Sequence, residues 1–341
     1  MNNGASSALK IKTNSVRAWW LAARPKTLTG AIAPVLMGGA MAFSMLHAKT
    51  FGIGWHIDWQ DPMVREWLLD VLVPFFLCLL FAVMMQIDAN FINDYFDFKK
   101  GTDRTDRLGP ERACAQGWIT PHAMRIGIGV ATLLSCLVGV SILLWHMQWE
   151  LLIVGALCVA FCFLYTTRLS YMGWGDVLVL VFFGLVPVVF TYYVMTNGGW
   201  NIPLVIAGLA MGLATDNLLM VNNYRDRHQD KQSGKRTIVV RIMDKQIRQL
   251  GDEAGTKEAE QICRDFYMWI GIFSTILSFT SLFLFPLSTI RYPLMIVYLI
   301  LHFRAFRQLN TLDGRELNKV LATTARNIFL FGLLFAIGVF L

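Results

Sequence analysis

The chain has 341 residues, of which 55% are hydrophobic and only 16% are charged, and its formal net charge is +7. The apolar residues come in long blocks, which excludes an ordinary soluble protein and favours one that crosses a membrane several times. The positive charge does not indicate nucleic-acid binding, because the basic residues of a membrane protein gather in its cytoplasmic loops.

Nine apolar runs follow one another along the chain and predict nine membrane-spanning helices. A polar N-terminus and an interfacial segment at 17–26 precede the first run. The runs lie at about 28–46, 71–92, 126–145, 151–165, 177–195, 204–221, 266–285, 292–303 and 328–341, and the eighth is the shortest. We therefore predict an all-α membrane protein in which residues 1–341 form a single polytopic domain.

The distribution of basic residues supports this arrangement. If all nine runs cross the membrane, 27 of the 30 lysines and arginines fall on the side of the N-terminus, and only Lys49, Arg65 and Arg291 fall on the other. Positively charged loops stay in the cytoplasm. We therefore predict a multi-pass protein of the cell inner membrane, with a cytoplasmic N-terminus and with the C-terminus on the opposite side.

Two acidic clusters continue the second and sixth runs on the predicted cytoplasmic side. The first cluster consists of polar residues that share one helix face, namely Gln86, Asn90, Asn93, Asp94 and Asp97. The second cluster consists of three residues spaced four positions apart, namely Asn222, Asp226 and Asp230. Asn223 lies close to the same helix face. Asp216 lies deeper in the sixth run, where an ionisable side chain is costly and therefore indicates function.

This combination of residues suits a metal and a phosphate. Facing carboxylates repel one another unless cations lie between them, and Asp and Asn oxygens suit Mg²⁺, which commonly takes substrate phosphates as further ligands. Basic residues suited to phosphate oxygens follow both clusters, namely Lys99, Lys100, Arg107, Arg112, Lys235 and Arg236. Charged residues beside a single helix end are ordinarily a solvated cap. Two matched clusters on one side of the membrane instead favour a binding site for a Mg²⁺-bridged diphosphate whose substituent lies in the bilayer.

At these residues the chain resembles the UbiA superfamily of intramembrane aromatic prenyltransferases. Asn93-Asp94-x-x-Asp97 and Asp226-x-x-x-Asp230 match the two Asp-rich signatures of that family. The segments at 93–120, 171–194 and 221–241 are most similar to members that use 1,4-dihydroxy-2-naphthoate in menaquinone synthesis. A charged insert at 243–264 and the sequence YTTR at 165–168 depart from the family pattern.

The resemblance implies a fold and a set of roles. Nine helices would surround a central cavity, covered by cytoplasmic cap loops at 93–125 and 222–265. The carboxylates expected to hold two Mg²⁺ ions for catalysis are Asp94, Asp97, Asp226 and Asp230, with Asn93 and Asn222 as further ligands. The residues expected to bind substrate are Asn90, Lys99, Arg107, Arg112, Asn223, Lys235 and Arg236. Tyr165 would face an allylic cation, Arg168 would pair with an acceptor carboxylate, and Asp103 would contribute from the cap.

The implied reaction is Mg²⁺-dependent transfer of a polyprenyl group from a polyprenyl diphosphate to 1,4-dihydroxy-2-naphthoate, with decarboxylation to demethylmenaquinol. The expected partners are these two substrates and membrane lipid, without nucleic acid. The nearest alternative is a prenyltransferase for 4-hydroxybenzoate, homogentisate or a haem side chain. A membrane transporter is a further alternative, although no inverted repeat or matched pair of broken helices is evident. A CDP-alcohol phosphatidyltransferase would need a DG-x-x-AR motif, which the sequence lacks.

Overall fold

The computed structural model describes residues 11–52, 60–101, 107–285 and 293–340, and the regular elements in these ranges are all helices. The α-helices are α1 (Val16–Ala23), α2 (Pro25–Phe51), α3 (Pro62–Lys100), α4 (Pro121–His146), α5 (Leu151–Leu164), α6 (Gly175–Leu180), α7 (Val186–Met195), α8 (Ile202–Arg225), α9 (Arg227–Gln232), α10 (Ile238–Leu250), α11 (Asp252–Leu284), α12 (Pro293–Thr311) and α13 (Leu317–Phe340). A π-helical segment at Tyr165–Leu169 extends α5, and another at Val181–Leu185 joins α6 to α7. A 3-10 turn at Gly314–Glu316 precedes α13.

Eight helices within the described ranges are long and apolar enough to cross a membrane. They are α2, α3, α4, α5 with its π-helical extension, the continuous α6–α7 helix, α8, α11 and α13. The helix α12 occupies the place of the eighth predicted run and packs against α11 and α13, but its 19 residues include His302, Arg304 and Arg307. The all-helical membrane fold is confirmed, whereas the count of nine spanning helices stays a prediction.

Polar residues and prolines mark where several helices begin. Asp61, Thr120 and Asn201 each accept a hydrogen bond from a backbone N–H in the first turn of the helix that follows. Proline stands at the first or second position of the same helices, where its missing N–H is not needed. The helices α3 and α8 both end where the two acidic clusters lie, at Lys100 and Arg225. We call this side of the bundle the motif end and the opposite side the far end.

Both segments predicted as cap loops contain helix, and the 222–265 segment is mostly helical. The 93–125 segment contains the last turns of α3 and the first turn of α4, and the 222–265 segment contains α9, α10 and the first turns of α11. One buried cluster joins α10 to α11, and its members include Val239, Met243, Ala259 and Cys263. The charged insert at 243–264 is therefore part of a packed helical pair at the motif end.

The centre of the bundle contains a close approach between the α6–α7 helix and α8. A Cβ atom on Gly184 would lie 2.5 Å from the Cα atom of Gly212 and 2.6 Å from its nitrogen. Small residues permit such backbone contact in membranes, where van der Waals packing contributes much of the attraction between helices. Both helices line an internal cavity, so this contact positions the cavity walls.

We predict that Gly184→Ala destabilises the bundle by about 1–3 kcal/mol, because the added methyl group forces two backbones apart. The measurement is the midpoint of thermal unfolding of the purified protein in detergent, which should fall. Gly129→Ala is the matched control, since Gly129 is an exposed position of α4 with open space around its Cβ. Equal midpoints for Gly184→Ala and the unsubstituted protein would contradict this contact.

Candidate active site

An internal cavity of about 1180 Å³ lies between the helices and reaches the motif end. On α3 it is lined by Asn93, Asp97 and Lys100, whose spacing places them in one stripe of the helix. The corresponding stripe of α8 consists of Thr215, Leu219, Asn222 and Asp226. The two acidic clusters, which are far apart in sequence, therefore face a common space.

In the first cluster, the carboxylate of Asp97 faces the cavity and is paired with a base. Arg112 Nη2 donates to Asp97 Oδ2 at 3.1 Å, and both residues are buried. Asn93 Oδ1 accepts a hydrogen bond from the hydroxyl of Thr166, on the π-helical extension of α5. The loop after α3 and the end of α5 are thus both attached to the end of α3.

Lys100 crosses the motif end from α3 to α5. Its Nζ atom donates to the carbonyl oxygens of Thr166 and Thr167 at 3.1 and 2.9 Å. The same atom lies 3.9 Å from the ring centroid of Tyr171, which is a cation–π distance. Carbonyls at a helix C-terminus carry partial negative charge, so they hold this ammonium group at the edge of the cavity.

Asp94 and Asn90 are engaged in fastening the helices together. The two carboxylate oxygens of Asp94 accept hydrogen bonds from the backbone N–H groups of Ala113 and Cys114, both at 2.8 Å, and Asp94 is 1% exposed. Asn90 Nδ2 donates to the carbonyl of Ala23 and to the hydroxyl of Thr27, which ties α3 to the start of α2. Neither residue is among the described residues that line the cavity. Their predicted roles as metal ligand and substrate contact therefore stay predictions.

In the second cluster, one buried guanidinium organises the acids and amides. Arg225 is 2% exposed, and its Nε and Nη2 atoms donate to the two oxygens of Asp226 at 2.7 and 2.6 Å. Nη2 also donates to Asn222 Oδ1 at 2.9 Å, and Nη1 donates to Asn318 Oδ1 at 2.8 Å. Bidentate guanidinium–carboxylate pairs have fixed geometry. Arg225 therefore holds the Asp226 carboxylate in place and connects α8 to α13.

Lys235 connects the two clusters. Its Nζ atom lies 3.5 Å from Asp230 Oδ1 and 5.3 Å from the ring centroid of Tyr171, above which Lys100 also lies. Burial raises the pKa of the Asp230 carboxyl, and Lys235 only partly offsets this rise. Burial alone would lower the pKa of Lys235, but the carboxylates of Asp230 and Asp97 outweigh it and raise that pKa above its ordinary value. Lys235 is therefore a firmly charged base between the two acidic clusters.

The other predicted residues divide into two groups. Arg107, Tyr165 and Asn223 line the cavity, as do Arg112 and Lys235. The second group is exposed and is not among the described residues that line the cavity, and it consists of Lys99, Arg168 and Arg236. Asp103 lies outside the described residues. Their roles as substrate contacts stay predictions.

The helical period separates Lys99 from Lys100. Lys99 lies two residues after Asp97, which is about 200° around an α-helix, whereas Lys100 lies three residues after it and shares the lining stripe. The helical period therefore favours Lys100 over Lys99 as the residue that contacts the cavity. Arg225 stands directly before Asp226 in the sequence, but nothing in the sequence indicates that its guanidinium is buried.

The lining of the cavity favours an anion. Among the described residues, its seven basic side chains are Arg24, Lys26, Lys100, Arg107, Arg112, Arg225 and Lys235. Its five acidic side chains are Asp97, Glu111, Asp176, Asp226 and Asp230. Arg24 and Lys26 come from the N-terminal interfacial segment, which sequence reasoning did not connect with the site. An excess of positive charge in a recessed site attracts and concentrates anions.

Asp216, the acid inside the sixth apolar run, lies behind the cavity wall. It is 5% exposed, is not among the described lining residues, and interacts electrostatically with Asp176 of α6, which is one of them. The two carboxylates belong to neighbouring helices that pack together. Asp216 thus adds to the polarity of one cavity wall without facing the cavity.

The donor atoms of the cavity fit Mg²⁺ in their chemistry. The oxygen-bearing side chains that face the cavity from the two clusters are Asn93, Asp97, Asn222, Asp226 and Asp230. No group of three or more acidic, histidine or cysteine side chains converges tightly enough to hold a metal alone within the described part of the chain. Mg²⁺ characteristically keeps only one or two carboxylates and completes its shell with substrate phosphate oxygens and water. The residues therefore fit a metal that arrives with an anionic substrate.

We predict that Asp94→Asn loosens the segment after α3, whereas the control Asp244→Asn, which changes a surface residue paired with Lys231, leaves that segment in place. The carboxylate of Asp94 accepts hydrogen bonds from two backbone N–H groups, whereas an asparagine amide has only one oxygen and can accept from one of them. The other N–H group would face the NH₂ group of the amide, and the lost hydrogen bond costs about 1.5–3 kcal/mol. Hydrogen exchange of a peptide spanning 112–119 measures the effect and should become faster in Asp94→Asn only. Equal protection in the two variants would contradict the fastening role of Asp94.

Comparisons with known proteins identify the family. The profile of the UbiA prenyltransferase family matches residues 63–337. The 1,4-dihydroxy-2-naphthoate octaprenyltransferase of Haemophilus influenzae is 32% identical over 68% of this chain and 71% of its own length. The Escherichia coli protein of the same name is 34% identical over 66% of this chain and 68% of its own length. The human UbiA prenyltransferase domain-containing protein 1 is 28% identical over 65% of this chain and 60% of its own length.

Two solved structures share the fold. A digeranylgeranylglyceryl phosphate synthase superposes with a TM-score of 0.55 at 18% identity, covering 95% of this chain and 98% of its own. A UbiA homologue from Archaeoglobus fulgidus, bound to DMAPP and Mg²⁺, superposes with a TM-score of 0.53 at 16% identity, covering 95% and 99%. With the family profile spanning most of the chain, and relatives above 30% identity over about two thirds of it, this protein belongs to the UbiA prenyltransferase family and is a multi-pass membrane prenyltransferase.

Proposed function

We propose that the protein transfers a polyprenyl group from a polyprenyl diphosphate to 1,4-dihydroxy-2-naphthoate in a Mg²⁺-dependent reaction, with loss of the acceptor carboxyl group and formation of demethylmenaquinol. The observation that carries the proposal is the division of the cavity into a charged motif end and an apolar remainder between the helices. An anionic diphosphate with a long apolar chain has the same division. The family member bound to DMAPP and Mg²⁺ supports this donor and this metal.

In this proposal the bases of the motif end bind the diphosphate. Lys100, Arg112 and Lys235 reach the cavity from three segments, so they approach an anion from different directions. The oxygens of Asp97, Asp226 and Asp230 would hold Mg²⁺. When bound, the metal neutralises diphosphate charge and so makes the diphosphate a better leaving group. The bases stabilise the negative charge that develops on the departing diphosphate.

The chemical step joins an aromatic carbon of the acceptor to the first carbon of the prenyl chain. As the bond between that carbon and the diphosphate oxygen breaks, positive charge develops on the allylic carbon. Tyr165 lines the cavity, and an aromatic face attracts such charge. The apolar walls keep out water, which would otherwise react with the allylic cation.

The acceptor is proposed on the strength of the relatives. Several proteins named 1,4-dihydroxy-2-naphthoate octaprenyltransferase are more than 30% identical to this chain. The exposed position of Arg168 gives no support to a contact with the acceptor carboxylate, whereas Arg24, Lys26 and Arg107 are cations on the cavity lining that could approach it. A prenyltransferase for 4-hydroxybenzoate or homogentisate would use the same donor site and would differ only at the acceptor.

The proposed membrane orientation rests on the distribution of basic residues. The motif end carries most of the basic residues, which supports a placement of this end and of the N-terminus in the cytoplasm and of the C-terminus on the opposite side. In a bacterial cell the membrane would be the inner one.

We predict that Asp226→Ala lowers prenyl transfer at least about 100-fold, since it removes an oxygen donor that faces the cavity and leaves Arg225 without its partner. The measurement is the initial rate of radiolabelled prenyl transfer in membranes, normalised to the amount of protein. Asp244→Ala is the matched control, because Asp244 pairs with Lys231 on the surface and should leave the rate unchanged. Activity that persists in EDTA, without Mg²⁺ add-back, would refute the proposed metal dependence.

We predict that the protein restores menaquinones to a host that lacks its own naphthoate prenyltransferase. Mass spectrometry of the extracted quinones should detect demethylmenaquinone or menaquinone with the gene and neither without it. The same host carrying Asp226→Ala is the control for the chemistry. Prenylated 4-hydroxybenzoate or homogentisate products in place of menaquinones would replace the proposed acceptor and leave the donor unchanged.

A further inference from the structure

One aromatic ring supports two of the bases at the motif end. The Nζ atoms of Lys100 and Lys235 lie over the ring of Tyr171, at 3.9 and 5.3 Å from its centroid. Both lysines line the cavity, whereas Tyr171 is half-buried and is not among the described lining residues. The ring therefore contacts the two ammonium groups without lining the cavity itself.

Two ammonium groups this close together repel each other, and the ring offsets part of that repulsion. The lysines also have separate partners, since Lys235 lies 3.5 Å from the carboxylate of Asp230 and Lys100 donates to carbonyls at the end of the α5 extension. An aromatic face attracts a cation through its quadrupole but carries no net charge. Tyr171 thus holds both bases without cancelling their charge, whereas a carboxylate in its place would repel an incoming anion.

The backbone around Tyr171 is fastened to the segment that carries Lys235. The carbonyl of Tyr171 accepts a hydrogen bond from the backbone N–H of Arg236 at 3.0 Å. Arg241, on α10, donates from Nη2 to the carbonyl of Met172 at 2.6 Å and from Nε to the carbonyl of Arg236 at 3.1 Å. The Arg241 side chain therefore joins the loop before α6 to the loop before α10.

Gly173 permits this close docking of the two loops. Its φ is +80°, a left-handed backbone conformation that favours glycine. A Cβ at this position would collide with the carbonyl oxygen of Arg236 and would lie 2.7 Å from Arg241 Nη2. The loop that presents the Tyr171 ring is thus held in place by contacts that need glycine at position 173.

We propose that Tyr171 is a positioning residue for the donor diphosphate, whose ring keeps Lys100 and Lys235 side by side, and that Arg241 acts through it by fixing its loop. The inference rests on the proposed use of a prenyl diphosphate and does not depend on which aromatic acceptor is used. A diphosphate has two phosphoryl groups, so two adjacent ammonium groups can each bind one of them. Without the ring the ammonium groups move apart, and the anion has to bring them together as it binds.

The first test measures donor binding alone, in the full chain reconstituted in nanodiscs with Mg²⁺. The probe is radiolabelled geranyl thiolodiphosphate, in which sulfur replaces the bridging oxygen and slows cleavage, and no acceptor is added. Tyr171→Leu should raise its Kd about 10-fold, which is about 1.4 kcal/mol and lies within the range of cation–π contacts. Tyr171→Phe keeps the aromatic face and should change the Kd less than about 2-fold.

The second test separates the charge of the ring from its shape. Position 171 receives phenylalanine with no, one, two or three ring fluorines, which hardly alter packing but successively weaken the negative face. The Kd should rise stepwise, by about 5-fold or more over the series. Phe98 is the matched control, because it is an exposed ring of α3 that is not among the described lining residues. A constant Kd along the series at position 171, or an equal rise at Phe98, would overturn the role of Tyr171.

The third test asks whether Arg241 acts through the ring. Arg241→Ala should raise the Kd several-fold while Tyr171 is present, because the loop that carries the ring is released. In Tyr171→Leu the same change should have little further effect, since residues that act through one another have non-additive free energies. Losses that multiply in the double variant would show that Arg241 acts independently and would overturn its assigned role.

The two levels of proposal fail differently. If the unsubstituted protein binds neither geranyl thiolodiphosphate nor inorganic pyrophosphate, the proposed donor is wrong, and the role of Tyr171 is wrong with it. If the unsubstituted protein binds the probe and Tyr171→Leu binds it equally well, the donor assignment stands and the positioning role alone is wrong.

Discussion

Desolvated carboxylates at the motif end require compensating partners, either a cation or backbone N–H donors, and this constraint shapes the site. Asp97, Asp226 and Asp230 are each held by a base, respectively Arg112, Arg225 and Lys235. Removing one member of a buried ion pair leaves an uncompensated charge and costs about 3–5 kcal/mol. The pairs also join segments that are distant in sequence, since Arg112 lies in the loop after α3 and Arg225 reaches Asn318 of α13. Neutralising the acids therefore also assembles the motif end.

The separation of charge from apolar surface would allow one bundle to bind both a diphosphate and an apolar chain, as the proposed function requires. Charged side chains are cheap where helices leave the membrane and costly in its interior. The acids and bases of the cavity accordingly lie near the helix ends, while the 14 residues of α5 carry no charged side chain. A substrate with a charged head and a long apolar chain matches this gradient along its length.

Sequence patterns identified the helices and the pairing of the clusters, but they resolved side-chain directions incompletely. Apolar runs and spacing placed Asp97 and Asp226 correctly on a shared cavity, because helical period and membrane topology are both readable from sequence. Asp94 and Asp97 could not be distinguished, since the bonds from Ala113 and Cys114 to Asp94 depend on how the following loop folds back. The burial of Arg225 depends on packing between distant helices, which no single stretch of sequence encodes.

The interleaving of acids and bases has a further consequence for the proposed donor. A preformed cage of carboxylates would hold metal ions well but would repel a diphosphate that approached before them. In this site Asp97, Asp226 and Asp230 each already have a base, and the described cavity lining has more basic than acidic side chains, so an anion is attracted from the start. In the proposed function, the bases would bind the phosphate oxygens of the donor, and the oxygens of Asp97, Asp226 and Asp230 would hold Mg²⁺. Mg²⁺ commonly takes substrate phosphates as further ligands, which is consistent with described acids that do not converge on one point.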